Sequence, residues 1–120
     1  ILEEAGLTER HFVHRDFHAG NLLWLTQRAG HAKVGLLDFQ DAVWGDPAYD
    51  LVSLLEDARR DVDASLAESM LMDYIRLTAC DAESFRRTYA VLGAQRNCKI
   101  IGIFVRLYRR DGKAHYLPLL

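Results

Sequence analysis

Three polar side chains in the first third of the chain have the types and the spacing that a metal-assisted reaction requires. Asp16 precedes Asn21 by five positions, and Asp38 directly follows a short apolar run. A carboxylate and an amide supply the hard oxygen ligands that Mg²⁺ binds, and a second carboxylate beside them can accept a proton. The set therefore predicts a magnesium site with one free carboxylate next to it, an arrangement that suits phosphoryl transfer.

A β-hairpin is expected to bring two of these side chains together. Its strands are the apolar runs 22–25 and 33–37, and we expect the connection between them to be centred just before Gly30. The predicted pairs are Leu25 with Val34, Leu23 with Leu36, and Asn21 with Asp38. Directly opposed residues of an antiparallel pair lie about 4.5–5.5 Å apart at Cα and project to the same face. Asn21 and Asp38 are therefore predicted to emerge side by side at the open end of the hairpin.

Helical periodicity replaces the short apolar runs after Gly45. Asp46 and Pro47 predict the start of a first helix, as its N-cap and its first helical residue. Two longer helices are predicted over about 63–79 and about 82–110. The predicted inward faces are Leu51, Leu54, Leu55 and Ala58 in the first helix, Leu66, Met70, Tyr74 and Leu77 in the second, and Phe85, Tyr89, Leu92, Ile100, Ile103 and Leu107 in the third.

The predicted fold class is α+β, and mainly α. A short strand at 11–14 and the hairpin belong to a loop-rich part over 11–41, and a helical part follows over 46–120. Within the third helix, Gly93 and Gly102 each cost about 1 kcal/mol relative to alanine, so a kink or a break is expected near either of them.

Length and composition exclude several classes of protein. The chain has 120 residues, of which 50% are hydrophobic and 27% are charged. This length is enough for one domain with a hydrophobic core. The composition differs from that of a disordered tail, a collagen repeat or a disulfide scaffold. No apolar run approaches the roughly 18 residues that cross a bilayer. The formal net charge is −2, so the chain has no excess of the basic residues that bind nucleic acids. We therefore expect neither a membrane nor a nucleic-acid partner.

Cysteine usage predicts a cytoplasmic protein. Cys80 and Cys98 are far apart in the sequence, and each lies in an apolar stretch with helical periodicity. Buried, reduced thiols explain such residues better than a disulfide does, because disulfides are rare in the reducing cytosol and free cysteine behaves as a small hydrophobic residue.

The chemistry-bearing residues resemble the catalytic loop of kinases. Positions 14–21 read His-Arg-Asp-Phe-His-Ala-Gly-Asn, similar to the His-x-Asp-x-x-x-x-Asn loop, and Asp38-Phe39 resembles the start of the Asp-Phe-Gly metal-binding turn. Two runs are similar to the aminoglycoside-phosphotransferase-like branch of kinases, His-x-Gly-Asn at 18–21 and Gly-Asp-Pro-x-x-Asp-Leu at 45–51. The segments that further resemble bacterial cell-wall amino-sugar kinases are 36–42, 54–62 and 93–97.

The resemblance implies a fold and an activity. The fold would be the C-terminal lobe of a protein-kinase-like enzyme, and the reaction would be ATP-dependent phosphoryl transfer to a hydroxyl of a small molecule. The favoured acceptor is the anomeric hydroxyl of a cell-wall amino sugar, N-acetylmuramate or N-acetylglucosamine, which implies a place in peptidoglycan recycling. Aminoglycosides, choline and homoserine are alternative acceptors, because relatives with a similar loop phosphorylate them. The implied cofactors are Mg²⁺ and ATP or another nucleoside triphosphate.

The same resemblance implies roles for individual residues. Asp16 corresponds to the carboxylate that accepts or orients the proton of the acceptor hydroxyl. Asn21 and Asp38 correspond to the Mg²⁺ ligands. Asp50 and His14 are expected to support the backbone of the catalytic loop. Three further side chains are candidates for substrate contacts: His18, Asp41 and Arg96.

Two positions carry additional expectations. Arg96 lies on the apolar face of the third helix, where a lone arginine usually has a buried carboxylate partner. The candidate partners are Asp50, Asp41 and a carboxylate on the substrate. Gln40 stands where protein kinases have glycine, and the stretch that follows Asp38 is too short for an activation loop, so no activation segment of the protein-kinase type is expected.

A metal-dependent hydrolase is an alternative from a different class of protein. His14, Asp16 and His18 are spaced at i, i+2 and i+4, so in an extended strand they would share one face. Two imidazoles and a carboxylate suit Zn²⁺. This alternative leaves Asn21 and Asp38 without a role.

A second alternative is that the chain is an inactive fragment. Kinase-like catalysis needs an N-terminal lobe with a phosphate-covering loop and a strand lysine, but no glycine-rich loop precedes a strand here. The lysines all follow Asp16: Lys33, Lys99 and Lys113. The chain also begins at Ile1, without a methionine, and ends in the apolar stretch 117–120. We therefore expect residues 1–120 to be a C-terminal lobe without its nucleotide lobe, with an uncovered apolar surface through which copies could associate.

Overall fold

The computed structural model describes residues 10–119, so Ile1 and Leu120 lie outside the described residues. Within this range, four short strands precede three helices: β1 (His11–Val13), β2 (Leu22–Trp24), β3 (Val34–Leu36), β4 (Val43–Gly45), α1 (Ala48–Leu55), α2 (Ala64–Thr78) and α3 (Ala82–Asp111). Short 3₁₀ helices lie at Ala19–Asn21, Gly30–Lys33 and Ala114–Leu119. The architecture is mostly helical with small antiparallel sheets, as the sequence predicts.

Strand β1 pairs with β4, which lies immediately before α1. The pairing is antiparallel, with Phe12 opposite Trp44 and Val13 opposite Val43. The β1 strand was predicted. The three residues of β4 are too few to show the alternation of apolar and polar residues that predicts a strand. Because β4 leads directly into α1, this pairing places the first turn of α1 next to the loop that follows β1.

The hairpin of β2 and β3 forms with a register that differs by one residue from the predicted one. Its pairs are Leu22 with Leu36, Leu23 with Gly35, and Trp24 with Val34. Asn21 therefore faces Leu37, whose N–H donates to the Asn21 carbonyl at 2.9 Å, and the predicted Asn21–Asp38 pair is wrong. The connection accounts for the difference. It closes through a 3₁₀ turn at Gly30–Lys33, and the last residue of this turn accepts from the Leu25 N–H at 2.7 Å.

Aspartate side chains begin the three helices. The carboxylates of Asp46, Asp63 and Asp81 each accept hydrogen bonds from backbone N–H groups of the following turn, which satisfies donors that a helix start otherwise leaves unpaired. The predicted starts of α2 and α3 are confirmed, whereas α1 begins one residue later than predicted, with Pro47 as its N-cap and Ala48 as its first helical residue. The break predicted near Gly93 or Gly102 does not occur, since α3 runs without interruption for 30 residues.

The hydrophobic core lies between α1, α2 and α3. Its buried residues are Ala48, Leu55, Leu71, Ile75, Phe85 and Leu92, and the ring of Tyr74 stacks on Phe85 with centroids 5.0 Å apart. The predicted face of α2 is largely wrong, because Leu66, Met70 and Leu77 are exposed, Leu77 at 77%. Two adjacent apolar stripes run along α2. The stripe through Leu71 and Ile75 is the one that packs against α1 and α3. In α1 the buried stripe likewise includes Val52 and Ser53, which were not predicted.

Replacing Gly102 by alanine is expected to stabilise the protein. An added Cβ at Gly102 would meet no atom within 4 Å, and alanine in a helix interior is favoured over glycine by about 0.5–1 kcal/mol. The free energy of unfolding of the full-length protein, measured by urea denaturation, should rise by this amount. Gly112→Ala is the matched control, since Gly112 ends α3 at a φ of 66°, where alanine costs about 1 kcal/mol or more. A fall in stability for Gly102→Ala would contradict the expectation.

The two cysteines are more exposed than the sequence predicts. Cys80 and Cys98 are both free thiols, but Cys98 is exposed and Cys80 only half-buried, so the prediction that both are buried is wrong. Arg96 and Phe104, by contrast, are the buried residues on that part of α3. In the described part of the chain no helix is both long and apolar enough to cross a membrane.

Candidate active site

The loop after β1 is organised around His14, whose side chain and backbone are almost completely buried at 1% exposure. Its Nδ1 accepts the N–H of Asp16 at 3.3 Å, so the ring proton lies on Nε2, which donates to the Leu37 carbonyl at 2.7 Å. One imidazole therefore connects the backbone of Asp16 to the residue directly before Asp38. The role of His14 in supporting the catalytic loop stays a prediction.

The carboxylate of Asp50 holds the same loop from α1. Its Oδ2 accepts the His14 N–H at 2.6 Å, and its Oδ1 accepts the Arg15 N–H at 2.9 Å. Arg15 has a φ of 73°, a conformation that costs a non-glycine residue about 1–3 kcal/mol and persists only where its surroundings hold it. Burial raises the pKa of the Asp50 carboxyl, and the two backbone hydrogen bonds act in the opposite direction.

Asp16 is held by one of its carboxylate oxygens. His18 Nε2 and Asn21 Nδ2 each lie 3.3 Å from Asp16 Oδ2, and Asn21 Nδ2 also donates to the Asp16 carbonyl at 3.0 Å. Because His18 Nδ1 accepts the Gly20 N–H at 3.1 Å, the neutral ring carries its proton on Nε2 and donates it toward Asp16. The Asp16 side chain remains 46% exposed. Both donors approach Oδ2, which leaves Oδ1 for a ligand.

Asn21 and Asp38 present oxygen atoms of the kind that Mg²⁺ binds. The bonds from Asn21 to Asp16 use the amide nitrogen, so the amide oxygen is the atom available to a cation. Asp38 is exposed, adopts a φ of 60° just after Leu37, and accepts from Gln40 Nε2 at 2.7 Å. Two hard oxygen donors at an exposed edge fit Mg²⁺, which usually takes few protein ligands and fills its other positions with water and phosphate. Sequence reasoning noted Gln40 only as a departure and missed this contact.

The other two candidate substrate residues lie in different surroundings. Asp41 is exposed in the turn before β4, where its backbone carbonyl accepts from Arg15 Nη1 at 3.2 Å. Arg96 is 4% exposed, and its Nη1 has no hydrogen-bond partner among the described residues. The expected carboxylate partner is therefore not in contact with Nη1. The positive charge of Arg96 acts to lower the pKa of the Asp50 carboxyl, although Asp50 forms no hydrogen bond with Arg96 Nη1.

Arg96 and Asp16 line the same small cavity, of about 100 Å³. Several of its other lining residues were not predicted from the sequence, among them Tyr49, Asp57 and Lys99. The only sequence signal for Lys99 is its position three residues after Arg96, which places it on the same helix face. A larger cavity of about 580 Å³ lies between the starts of α1 and α3 and the end of α2. It borders none of Asp16, Asn21 and Asp38, so the smaller cavity is the one that belongs to this site.

The arrangement required by the zinc hydrolase alternative does not form. Strand β1 ends at Val13, so the spacing of His14, Asp16 and His18 does not place them on one strand face. Both ring nitrogens of His14 are engaged by the protein backbone. Within residues 10–119, no group of three or more His, Cys, Asp or Glu side chains is arranged to hold a metal ion.

Comparisons with known proteins agree with the kinase-like loop. The profile of the phosphotransferase enzyme family matches residues 2–111. An N-acetylmuramate/N-acetylglucosamine kinase of Caulobacter vibrioides is 49% identical over 91% of this chain and 30% of its own length. Kinases of the same name from Neisseria meningitidis serogroup B and Pseudomonas putida are 41% and 36% identical, over 89% and 98% of this chain and 33% and 35% of their own lengths. The chain thus spans about a third of the length of these relatives.

Proposed function

The chain belongs to the phosphotransferase enzyme family, and from this premise we propose that it carries the catalytic loop of an ATP-dependent kinase. In this proposal residues 1–120 are the C-terminal lobe of a kinase-like enzyme, with the loop and hairpin over 11–41 and the helical part over 46–120. The rest of a longer protein would supply the nucleotide-binding lobe. The reaction would transfer a phosphoryl group from ATP to a hydroxyl of a small molecule, which implies a cytoplasmic enzyme because ATP is available there.

The observation that carries this proposal is the fixed orientation of Asp16. Its Oδ2 is approached by His18 and Asn21, both at 3.3 Å, and its backbone N–H is bonded to His14. The remaining oxygen can accept the proton of an acceptor hydroxyl as that hydroxyl attacks phosphorus. A base positioned in this way contributes through proton transfer and through alignment of the nucleophile.

Mg²⁺ would be held by Asn21 and Asp38 in this proposal. The cation, when bound, would neutralise the charge of the nucleotide phosphates. Asn21 directly precedes β2, and Asp38 follows shortly after β3, so the antiparallel hairpin keeps the two residues at the same end although they are not directly opposed. His14 supports this arrangement, because its ring bonds to the residue that precedes Asp38.

The names of the relatives favour an amino sugar as the acceptor. Three kinases named for N-acetylmuramate and N-acetylglucosamine are 36–49% identical to this chain where they align with it, over 89–98% of its length. We propose the anomeric hydroxyl of such a sugar as the phosphorylated group and peptidoglycan recycling as the process. Aminoglycosides, choline and homoserine are the alternative acceptors, because fold and catalytic loop do not by themselves determine the substrate.

An exposed apolar face supports the presence of a second lobe in the parent protein. Large apolar side chains on the two sheets and on the turn after β3 are exposed, Trp44 at 73%. They include Phe12, Trp24, Leu37, Phe39 and Trp44. Where such side chains lie together, they form an apolar surface of the kind that usually marks an interface. We propose that the nucleotide-binding lobe covers it. In a preparation of this segment alone, the same face would be open to a second copy.

The proposal is tested with the full-length protein, Mg-ATP and four acceptors offered in parallel: N-acetylmuramate, N-acetylglucosamine, kanamycin and choline. We expect phosphorylation of the amino sugars at the anomeric hydroxyl, detected by phosphorus NMR of the product. Turnover with kanamycin or choline alone would retain the phosphotransferase and reject the amino sugar. Absence of turnover with every acceptor would contradict the proposed function.

A further inference from the structure

The cavity beside Asp16 has an excess of positive charge. Its volume is about 100 Å³, and it lies between the loop after β1, the segment after α1 and the middle of α3. The charged residues that line it are Arg15, Arg59, Arg96, Lys99, Asp16 and Asp57. Cations thus outnumber carboxylates, so the electrostatic potential of the cavity favours an anion.

Arg96 is the buried member of this set. Its side chain enters from α3, the residue is only 4% exposed, and its Nη1 has no hydrogen-bond partner among the described residues. A buried guanidinium nitrogen without a partner costs free energy, because it has lost its hydration and gained no hydrogen bond. Arg96 also lines the cavity, so an anion bound there would supply its buried guanidinium with an acceptor.

The nearby carboxylates do not supply that acceptor. Asp57 accepts the Arg59 N–H at 3.1 Å and lies 3.6 Å from the Arg59 guanidinium. Asp50 is bonded to the backbone N–H groups of His14 and Arg15. Lys99, also in the cavity wall, donates to the Tyr49 hydroxyl at 3.3 Å and keeps further donor positions on its ammonium group.

We propose that this cavity is a subsite for the carboxylate of the acceptor, with the buried Arg96 guanidinium as a donor and with Lys99 and Arg59 as the other cations of its wall. The inference rests on the proposed function, because it concerns the acceptor side of the same site. A volume of about 100 Å³ holds a small substituent and not a sugar ring, so the ring would lie outside it, near Asp16. N-acetylmuramate carries such a substituent, a lactyl ether that ends in a carboxylate, whereas N-acetylglucosamine has a neutral hydroxyl there.

A phosphate of the nucleotide is the other source of negative charge. Asn21 and Asp38, the residues proposed to hold the metal and with it the nucleotide phosphates, do not line the cavity. Asp16 separates the two sets of residues, since it contacts Asn21 directly and also forms part of the cavity wall. This arrangement favours the acceptor over the nucleotide as the source of the anion.

The test compares two acceptors in the full-length protein. For wild type and Arg96→Gln, kcat/KM is measured with N-acetylmuramate and with N-acetylglucosamine, and KM is measured for ATP. We expect Arg96→Gln to lower kcat/KM for N-acetylmuramate by about 10- to 100-fold relative to N-acetylglucosamine, the range of a lost hydrogen bond to a charged group. Lys99→Gln should change the same ratio in the same direction but less. Arg109→Gln, an exposed arginine of the same helix, is the control and should leave the ratio unchanged.

Other results of these measurements would reject either the subsite alone or the proposed function as well. An equal loss with both acceptors for Arg96→Gln, with no change in the ratio for Lys99→Gln, would overturn the subsite and leave Arg96 a structural residue. A rise in KM for ATP alone would assign the anion to the nucleotide and likewise overturn the inference. If wild type phosphorylates neither sugar, the proposed function fails, and the subsite fails with it. If wild type phosphorylates both and the variants leave the ratio unchanged, only the subsite fails.

Discussion

Replacing Asp16 by asparagine should lower kcat of the full-length protein by about 10²–10⁴-fold, or about 3–5 kcal/mol in activation free energy. Asparagine has the same shape, and its amide oxygen can still accept from His18 and Asn21, which lie 3.3 Å from Asp16 Oδ2 in the present structure. The variant loses the negative charge and the second carboxylate oxygen, which would accept the proton. Steady-state kinetics with the amino-sugar acceptor and Mg-ATP measure this loss.

The folded state of this variant provides a necessary control. Because Asp16 is nearly half exposed and its neighbours keep their hydrogen bonds, the thermal midpoint of Asp16→Asn should match that of wild type. Asp73→Asn is a matched change at an exposed aspartate of α2, where the side chain pairs with Arg76 of the same helix, and kcat should not change. A kcat of Asp16→Asn within about threefold of wild type would reject Asp16 as the base.

Replacing Asp50 by alanine should impair both stability and catalysis. The variant leaves the buried His14 N–H without its acceptor and removes the bond that holds the Arg15 backbone at a φ of 73°. The free energy of unfolding should fall by about 1–3 kcal/mol. At a temperature where the variant is still folded, kcat should fall by about 10- to 100-fold, because Asp16 would lose its alignment with the acceptor.

A graded series at this position separates the hydrogen bonds from other effects. Asp50→Asn keeps one oxygen that can accept from His14 or Arg15, so its losses should lie between those of wild type and Asp50→Ala. Urea denaturation gives the order of stabilities, and single-turnover kinetics give the rate of the chemical step. If Asp50→Ala unfolded at the wild-type urea concentration with an unchanged rate, the loop would be held by other contacts and the supporting role of Asp50 would be rejected.

The helix starts and the close approach of Asp16 to Asn21 could be predicted from the sequence because the interactions that produce them are local. Asp63 and Asp81 bond to N–H groups three residues ahead, and such caps require no other part of the chain. Asn21 donates to Asp16 across five positions of one short loop. The order and the spacing of these residue types therefore indicated the proposed chemistry before any packing was known.

The hairpin register and the packed face of α2 could not be predicted in the same way. Registers that differ by one residue pair similar apolar residues, and the internal geometry of the connection, with its 3₁₀ turn at Gly30–Lys33, selects between them. On α2, adjacent stripes through Leu66 and through Leu71 are both apolar. Only contact with α1 and α3 determined that Leu71 is buried and Leu66 exposed.

The sequence by itself determined the set of proposed catalytic groups, their order and the helical character of the second half of the chain. Only the tertiary structure placed the Asp50 carboxylate on the N–H of His14, 36 positions away, and buried Arg96 in the wall of the cavity that Asp16 also lines, with no partner for Nη1 among residues 10–119. The physical reason is that these contacts connect segments distant in the sequence. They form only when the pairing of β1 with β4 and the packing of α1 on α3 bring those segments together. A local pattern of residues does not show which distant segments will meet.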